Sequence, residues 1–142
     1  MPISTDEKAA ALARVPLFAG ISDESMARLA SVAGVLEFED GQFIVRQGQV
    51  GTGLYVILRG AVRVIRGSTE LARLAETDFF GELAVIDQQP RLASVQAHGD
   101  VVCLALASWD LLQLVESDSA LALNLIRGLT RRIRATDEQH RH

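Results

Sequence analysis

The chain holds one cysteine, Cys103, among 142 residues. An intrachain disulfide is therefore excluded, and the apolar neighbours of Cys103 point to a buried thiol. Long apolar runs are missing too. The longest, Val101 to Ala107, has the length of a strand rather than of a membrane span. The first residues, Met1-Pro2-Ile3-Ser4-Thr5-Asp6-Glu7, show neither the basic start nor the apolar stretch of a signal peptide. A cytoplasmic protein without membrane association is expected. Excess positive charge is lacking as well. A formal net charge of −4 weakens the case for general nucleic-acid binding, which leaves a basic footprint. His98, His140 and His142 have no partners at metal-ligand spacing. No Ser–His–Asp constellation can be assembled, and Glu37, Glu39 and Asp40 read as an exposed strand end and turn. Neither an enzyme nor a metal or cofactor is expected.

What is present is ordinary globular composition, 49% apolar and 23% charged, at the length of one domain covering residues 1–142. Residues 8–13 and 22–33 read as helices. Ser22 can cap the second, and Met26, Leu29, Ala30 and Ala33 share one of its faces. From Val35 the period shortens to β-rich runs, with strands predicted at 35–39, 42–46, 54–59, 61–66, 70–74, 93–97 and 101–106. Gly60 and Arg66-Gly67-Ser68 read as hairpin punctuation between them. Helical spacing resumes after Leu106. Ser108 can cap a short helix bearing Trp109, Leu111, Leu112 and Val115, and a second helix starts near Asp118. Along that second helix Leu121, Leu125, Ile126, Leu129 and Ile133 make one apolar stripe. Helices over about 8–33, a roll over about 35–106 and helices over about 109–138 give an α+β fold. Its centre is an antiparallel, jelly-roll-like β-roll flanked by N-terminal and C-terminal helices, not a parallel α/β sheet.

The run from Phe79 to Val95, FFGELAVIDQQPRLASV, is the richest in chemistry. Gly81 lets a ligand approach the backbone. Glu82-Leu83-Ala84-Val85 favours a helical turn whose first amides are unpaired and partly positive, a ready anion site. Arg91 adds a planar fork of donors suited to phosphate oxygens. Glu82 would repel a phosphate, so its presence makes sense if the ligand also offers hydroxyl donors such as a ribose 2′-OH. A surface ion pair between Glu82 and Arg91 is the plainer alternative. It would contribute under about 1 kcal/mol and would not need the glycine.

Phe80-Gly81-Glu82-Leu83-Ala84-Val85-Ile86 followed by Pro90-Arg91-Leu92-Ala93-Ser94-Val95 closely resembles the phosphate-binding cassette of the cyclic-nucleotide-binding domain family. Leu17-Phe18 before Ser22-Asp23-Glu24, and Gly41, Gly48, Tyr55-Val56-Ile57 and Gly60, extend the resemblance over about residues 12–135. The resemblance implies that Glu82 accepts from the ribose 2′-OH and that Arg91 pairs with the cyclic phosphate. Amides at Gly81, Leu83, Ala84 and Leu92 would contact phosphate or sugar. Val64 and Leu74 would line the base pocket, or serve as ordinary inward strand residues. Phe79 and Phe80 read as core anchors.

Leu92 departs from the family pattern, where Ala, Ser or Thr is common. A hydroxyl there can bond the guanine edge and leucine cannot, so cyclic AMP is expected as the ligand, with cyclic GMP the alternative. Arg127, Arg131, Arg132, Arg134 and Arg141 crowd the end of the chain. They either complement a helix C-terminus, or place Arg132 over the base, or, least in keeping with the net charge, meet DNA. The resemblance implies a cyclic-AMP sensor that changes conformation and signals to a protein effector in trans, with homodimerisation left open and no direct DNA binding. The alternatives are an interaction module whose pocket takes no nucleotide, and a regulatory piece of a larger channel, kinase or transcription-factor system.

Overall fold

Two strands of fourteen residues, β3 (Gly53–Arg66) and β6 (Ser94–Ala107), form the spine of the structure. A computed structural model describes residues 3–51, 53–81 and 90–140, the side chains of 132 and 135–140 excepted. The spine strands pair antiparallel along most of their length, from Gly53↔Ala107 to Ile65↔Ser94. Shorter strands finish both edges. On β6 lie β1 (Gly34–Phe38), opposite Val101–Ala105, and β2 (Phe43–Val45), opposite Val95 and Gln96. On β3 lie β4 (Thr69–Leu74), opposite Val62–Arg66, and β5 (Phe79–Phe80), opposite Tyr55 and Val56. This is the expected α+β arrangement, an antiparallel β-roll with helices before and after it.

Alternation along the spine divides the core in two. Leu54, Val56, Leu104 and Leu106 turn to one face and are fully buried among the helices. Ile57, Val62, Val95, Ala97, Val101 and Cys103 turn into the roll with Val45 and Phe80. This is the period-2 logic of a strand buried on both sides. Burial pushes the Cys103 thiol up to about 12, so it is a core group, as its neighbours suggest.

Among the described residues four helices cover the first face: α1 (Thr5–Ala13), α2 (Asp23–Val32), α3 (Ser108–Ser117) and α4 (Ser119–His140). A short 3-10 turn, Pro16–Phe18, buries Leu17 and Phe18 beside them. Helix α1 begins earlier than the apolar pattern suggests because Ser4 accepts from the Glu7 N–H. Ser22 caps α2 as expected, accepting from the Ser25 N–H at 3.0 Å. Asp118 joins the two ends of the chain. Its Oδ1 accepts from the Ala120 and Leu121 amides at the start of α4, and its Oδ2 accepts from Ser22 N and Ser25 Oγ.

Several sequence expectations need correction. Gly60 is not a turn between two strands. β3 runs through it, with the register shifting on either side between Ile57 and Ala61. Its φ is +91°, and an added Cβ would collide with the Asp100 carbonyl oxygen. Glycine here marks a bulge where two backbones meet closely, a local signal it shares with a turn. β6 likewise fuses the predicted strands 93–97 and 101–106. The two-residue strand β5 carries no periodicity and was not predicted. Ser108 does not cap α3: Ala107 holds the cap position, and Ser108 Oγ is buried with no hydrogen-bond partner. The predicted stripe on α4 divides, with Leu121 and Leu125 buried but Ile126 and Ile133 exposed. By contrast, Gly67–Ser68 makes the expected hairpin turn, closing β3 onto β4 at Arg66↔Thr69.

Gly60→Ala should lower unfolding stability by about 1–3 kcal/mol, from strain at positive φ and the collision with Asp100. Urea titration checks this, and an unchanged midpoint would contradict the bulge. The Ser25 hydroxyl, then the Ser22 amide, hold the Asp118 carboxyl below its usual 3.8. A lowered carboxyl stabilises fully above the unfolded value and loses that contribution as pH falls towards the folded one. Asp118→Ala should therefore be less stable than wild type at neutral pH, with the gap closing in acid below about pH 4. A gap that stays constant down to pH 2 would contradict this role.

Candidate functional site

Arg91 is fixed by its backbone before its side chain is considered. Its N–H donates to the Gln49 carbonyl at 2.8 Å, and its own carbonyl accepts from the Gly48 N–H at 2.9 Å. A bridge between Val50 and Pro90 completes this short ladder. The arm carrying Arg91 thus lies against the loop between β2 and β3. The side chain then reaches along that loop, and Nη2 donates to the Gly53 carbonyl at 3.0 Å. The guanidinium carbon stands 5.9 Å from the centroid of the Tyr55 ring, a weakly attractive cation–π contact. Tyr55 is itself stacked on Phe80, with centroids 5.2 Å apart.

Two glycines make room for the guanidinium. A Cβ on Gly51 would land on it, and a Cβ on Gly81 would lie 2.6 Å from Nη1 and 2.7 Å from the Gly53 carbonyl oxygen. Gly81 also holds φ at +95°, where other residues are strained. Burial lowers the Arg91 pKa below its ordinary value, Tyr55 acts in the opposite sense, and the group remains a cation. Among the described residues both ion pairs belong to Glu70, with Arg63 at 3.9 Å and Arg73 at 3.2 Å. Arg91 is in neither. A half-buried guanidinium bonded to one carbonyl, with no carboxylate partner among these residues, has spare donors for an anion.

The other predicted site residues are distributed around this centre. Val64 pairs with Ala72 and Val95, and Leu74 pairs with Val62. Both are partly buried against the core inside the roll. Leu92 follows Arg91 and is 58% exposed, while its carbonyl accepts from Arg66 Nε at 3.2 Å. Ser94 opens β6, and its hydroxyl accepts from the Gln47 N–H. Glu82, Leu83 and Ala84 lie outside the described residues, as does the side chain of Arg132, whose backbone belongs to α4. Phe80 is buried inside the roll, and Phe79 packs on the helical side. A Cβ on Gly128 of α4 would sit 3.3 Å from Phe79 Cζ, so α4 passes directly over the strand that leads into Gly81.

Gly51 and Gly53 were not singled out from the sequence. Their signal is the crowding of Gly48, Gly51 and Gly53 just before an apolar strand, but nothing local says which side chain fills the space. The arginine cluster also needs correction in part, Arg141 lying outside the described residues. Arg127, Arg131 and Arg134 sit inside α4, which continues to His140, so they lie too far from its C-terminus to answer the helix dipole. Among the described residues, no three His, Cys, Asp or Glu side chains are placed to hold a metal. No described helix is long and apolar enough to cross a membrane.

An antiparallel roll bracketed by helices, with this arginine held between glycines at one end of its central strands, defines a class of sensor domain. The chain belongs to the cyclic nucleotide-binding domain family, whose pattern matches residues 35–118. It is 35% identical over 127 residues to the cyclic AMP receptor protein of Thermus thermophilus, a match covering 86% of this chain and 59% of that one. The regulatory domain of Toxoplasma gondii protein kinase A, solved with cyclic AMP, superposes with a TM-score of 0.81 at 27% identity. The match covers 89% of this chain and 50% of that one. The regulatory subunit of a cyclic-AMP-independent protein kinase A from Trypanosoma brucei superposes with a TM-score of 0.79 at 26% identity, covering 92% and 46%. The chain spans 23% and 11% of two kinase-related curated relatives that it also matches.

Gly51→Ala should displace the Arg91 guanidinium, because the new methyl group occupies its place. The Nε–Hε resonance of Arg91 in an NMR spectrum reports this directly. An unshifted resonance in the folded variant would contradict the slot.

Proposed function

We propose that this chain is a cyclic-nucleotide sensor, one domain over residues 1–142, that binds cyclic AMP in preference to cyclic GMP. The observation that carries the reading is the half-buried Arg91 guanidinium, which has no carboxylate partner among the described residues and is held open by Gly51 and Gly81. The cyclic phosphate would supply the counter-charge that no described residue provides. Around it the amides of Gly81, Leu83, Ala84 and Leu92 would donate to phosphate or sugar, and Glu82 would accept from the ribose 2′-OH. Val64 and Leu74 would meet the base on the inner face of the roll, with Arg132 closing over it from α4. The preference for cyclic AMP rests on Leu92, which has no hydroxyl for a guanine edge. A regulatory rather than a catalytic role in the cytoplasm fits the likeness to kinase regulatory subunits and a bacterial receptor.

Signalling follows from the contact between Phe79 and Gly128. Closing the Gly81 turn around a phosphate would move β5, and β5 lies beneath α4. A ligand that binds better to one placement of α4 shifts the balance towards it by the ratio of the two affinities. A protein effector acting in trans, or further domains of a larger kinase, channel or transcription factor, would read that shift. Ile126 and Ile133 are 60% and 70% exposed on α4, which leaves an apolar face for such a partner or for a second copy of the chain. Direct DNA contact by this domain is not proposed.

A second reading has two observations in its favour. Leu92 differs from the small residues usual beside the arginine, and one structural neighbour is described as cyclic-AMP-independent. On that reading the roll is an interaction module that takes neither nucleotide.

Calorimetric titration of wild type and Arg91→Ala with cyclic AMP separates the two. The variant should bind more weakly by about 2–4 kcal/mol, since a desolvated phosphate loses its counter-charge. Equal affinity in a folded variant would remove Arg91 from the site. No binding by empty wild type would favour the interaction module.

A further inference from the structure

The hairpin between β3 and β4 is fastened to the arm that carries Arg91 by two exposed side chains, Gln47 and Arg66. Gln47 stands at the joint. Its backbone N–H donates to Ser94 Oγ at 2.8 Å, and its side-chain Oε1 accepts from the Gly67 N–H at 3.0 Å in the hairpin turn. Arg66, beside that turn, donates from Nε to the Leu92 carbonyl at 3.2 Å. The next residue along the loop, Gly48, donates to the Arg91 carbonyl. Hairpin, loop and arm are therefore closed into one ring of hydrogen bonds, and Arg91 lies within it.

The hairpin does not need these bonds for its own pairing, since β4 is already laddered to β3 from Val62↔Leu74 to Arg66↔Thr69. Exposed hydrogen bonds also add little to folding, because water competes for both partners. What they do fix is where the hairpin sits relative to the residues on either side of the arginine. We infer that Gln47 and Arg66 are positioning residues for the anion site, holding the β3–β4 hairpin against the Arg91 arm. Occupancy of the site is then felt at Gly67, and restraint at Gly67 is felt as ligand affinity, in the reciprocal manner that coupling requires. This inference rests on the reading of Arg91 as the seat of a cyclic phosphate.

Titration of five variants with cyclic AMP, together with amide exchange at Gly67, tests it. Gln47→Leu removes the acceptor and Arg66→Met removes the donor. Each should weaken binding about three- to tenfold, the span expected for one net hydrogen bond. Gln47→Glu keeps an acceptor and Arg66→Lys keeps a donor, so both should recover most of the affinity, which a merely structural role would not produce. Cyclic AMP should slow exchange of the Gly67 amide in wild type and leave it unchanged in Gln47→Leu. Arg91→Ala is the fifth variant. Loss of binding in Arg91→Ala, with wild-type affinity in Gln47→Leu and Arg66→Met, would overturn the coupling alone. The same holds if Gln47→Glu is as impaired as Gln47→Leu. Wild-type affinity in Arg91→Ala would overturn the site reading and this inference with it.

Discussion

A guanidinium removed from water is costly, and the effective penalty for one buried ion is several kcal/mol; Arg91 has no carboxylate partner among the described residues. Arg91 is only half-buried, and the Gly53 carbonyl and the Tyr55 ring offset part of that cost. The surrounding structure follows from holding this one group in place. Gly51 and Gly81 must be glycine for it to fit, and the pairing of Arg91 with Gln49 and Gly48 must be in register for it to reach Gly53. A side chain added at Gly51 or Gly81 would displace the charge as well.

The long spine strands supply the rigidity that such a placement needs. β3 and β6 are buried on both faces along their shared lower half, one face against helices and the other inside the roll. The bulge at Gly60 lets the same two strands continue into the upper half, where β2 and β4 take over the edges. Gly53, Tyr55 and Val64 are thus parts of one strand that runs from the arginine slot to the inner wall of the roll. On the helical side, Asp118 ties Ser22, the cap of α2, to the start of α4, and α4 crosses Phe79 just ahead of Gly81. The slot and the last helix are thus separated only by Phe79 and Phe80 of β5.

Much of this was legible in the sequence because it depends on local chemistry. Ser22 caps its helix through its own hydroxyl, Gly67–Ser68 turns the chain within two residues, and the cassette from Phe80 to Val95 carries its glycine and arginine at fixed spacing. The misreadings share a different cause. Gly60 looks like a turn because a bulge and a turn ask the same thing of a glycine, and only the partner strand distinguishes them. β5 is two residues long, too short for a period. Gly51 and Gly53 gained meaning only when Arg91, about forty residues later, was brought against them by strand pairing. Ile126 shares the sequence pattern of the buried leucines on α4 yet faces outward, since an apolar period does not say which side meets the core.

The central claim is that the Arg91 guanidinium is the seat of a cyclic phosphate. A crystal structure of the protein grown with cyclic AMP tests it most directly. The expected result is phosphate oxygens within hydrogen-bond distance of the guanidinium, with Nη2 still on the Gly53 carbonyl and the ribose turned towards Glu82. Cyclic AMP bound elsewhere on the chain, with Arg91 unengaged, would contradict it.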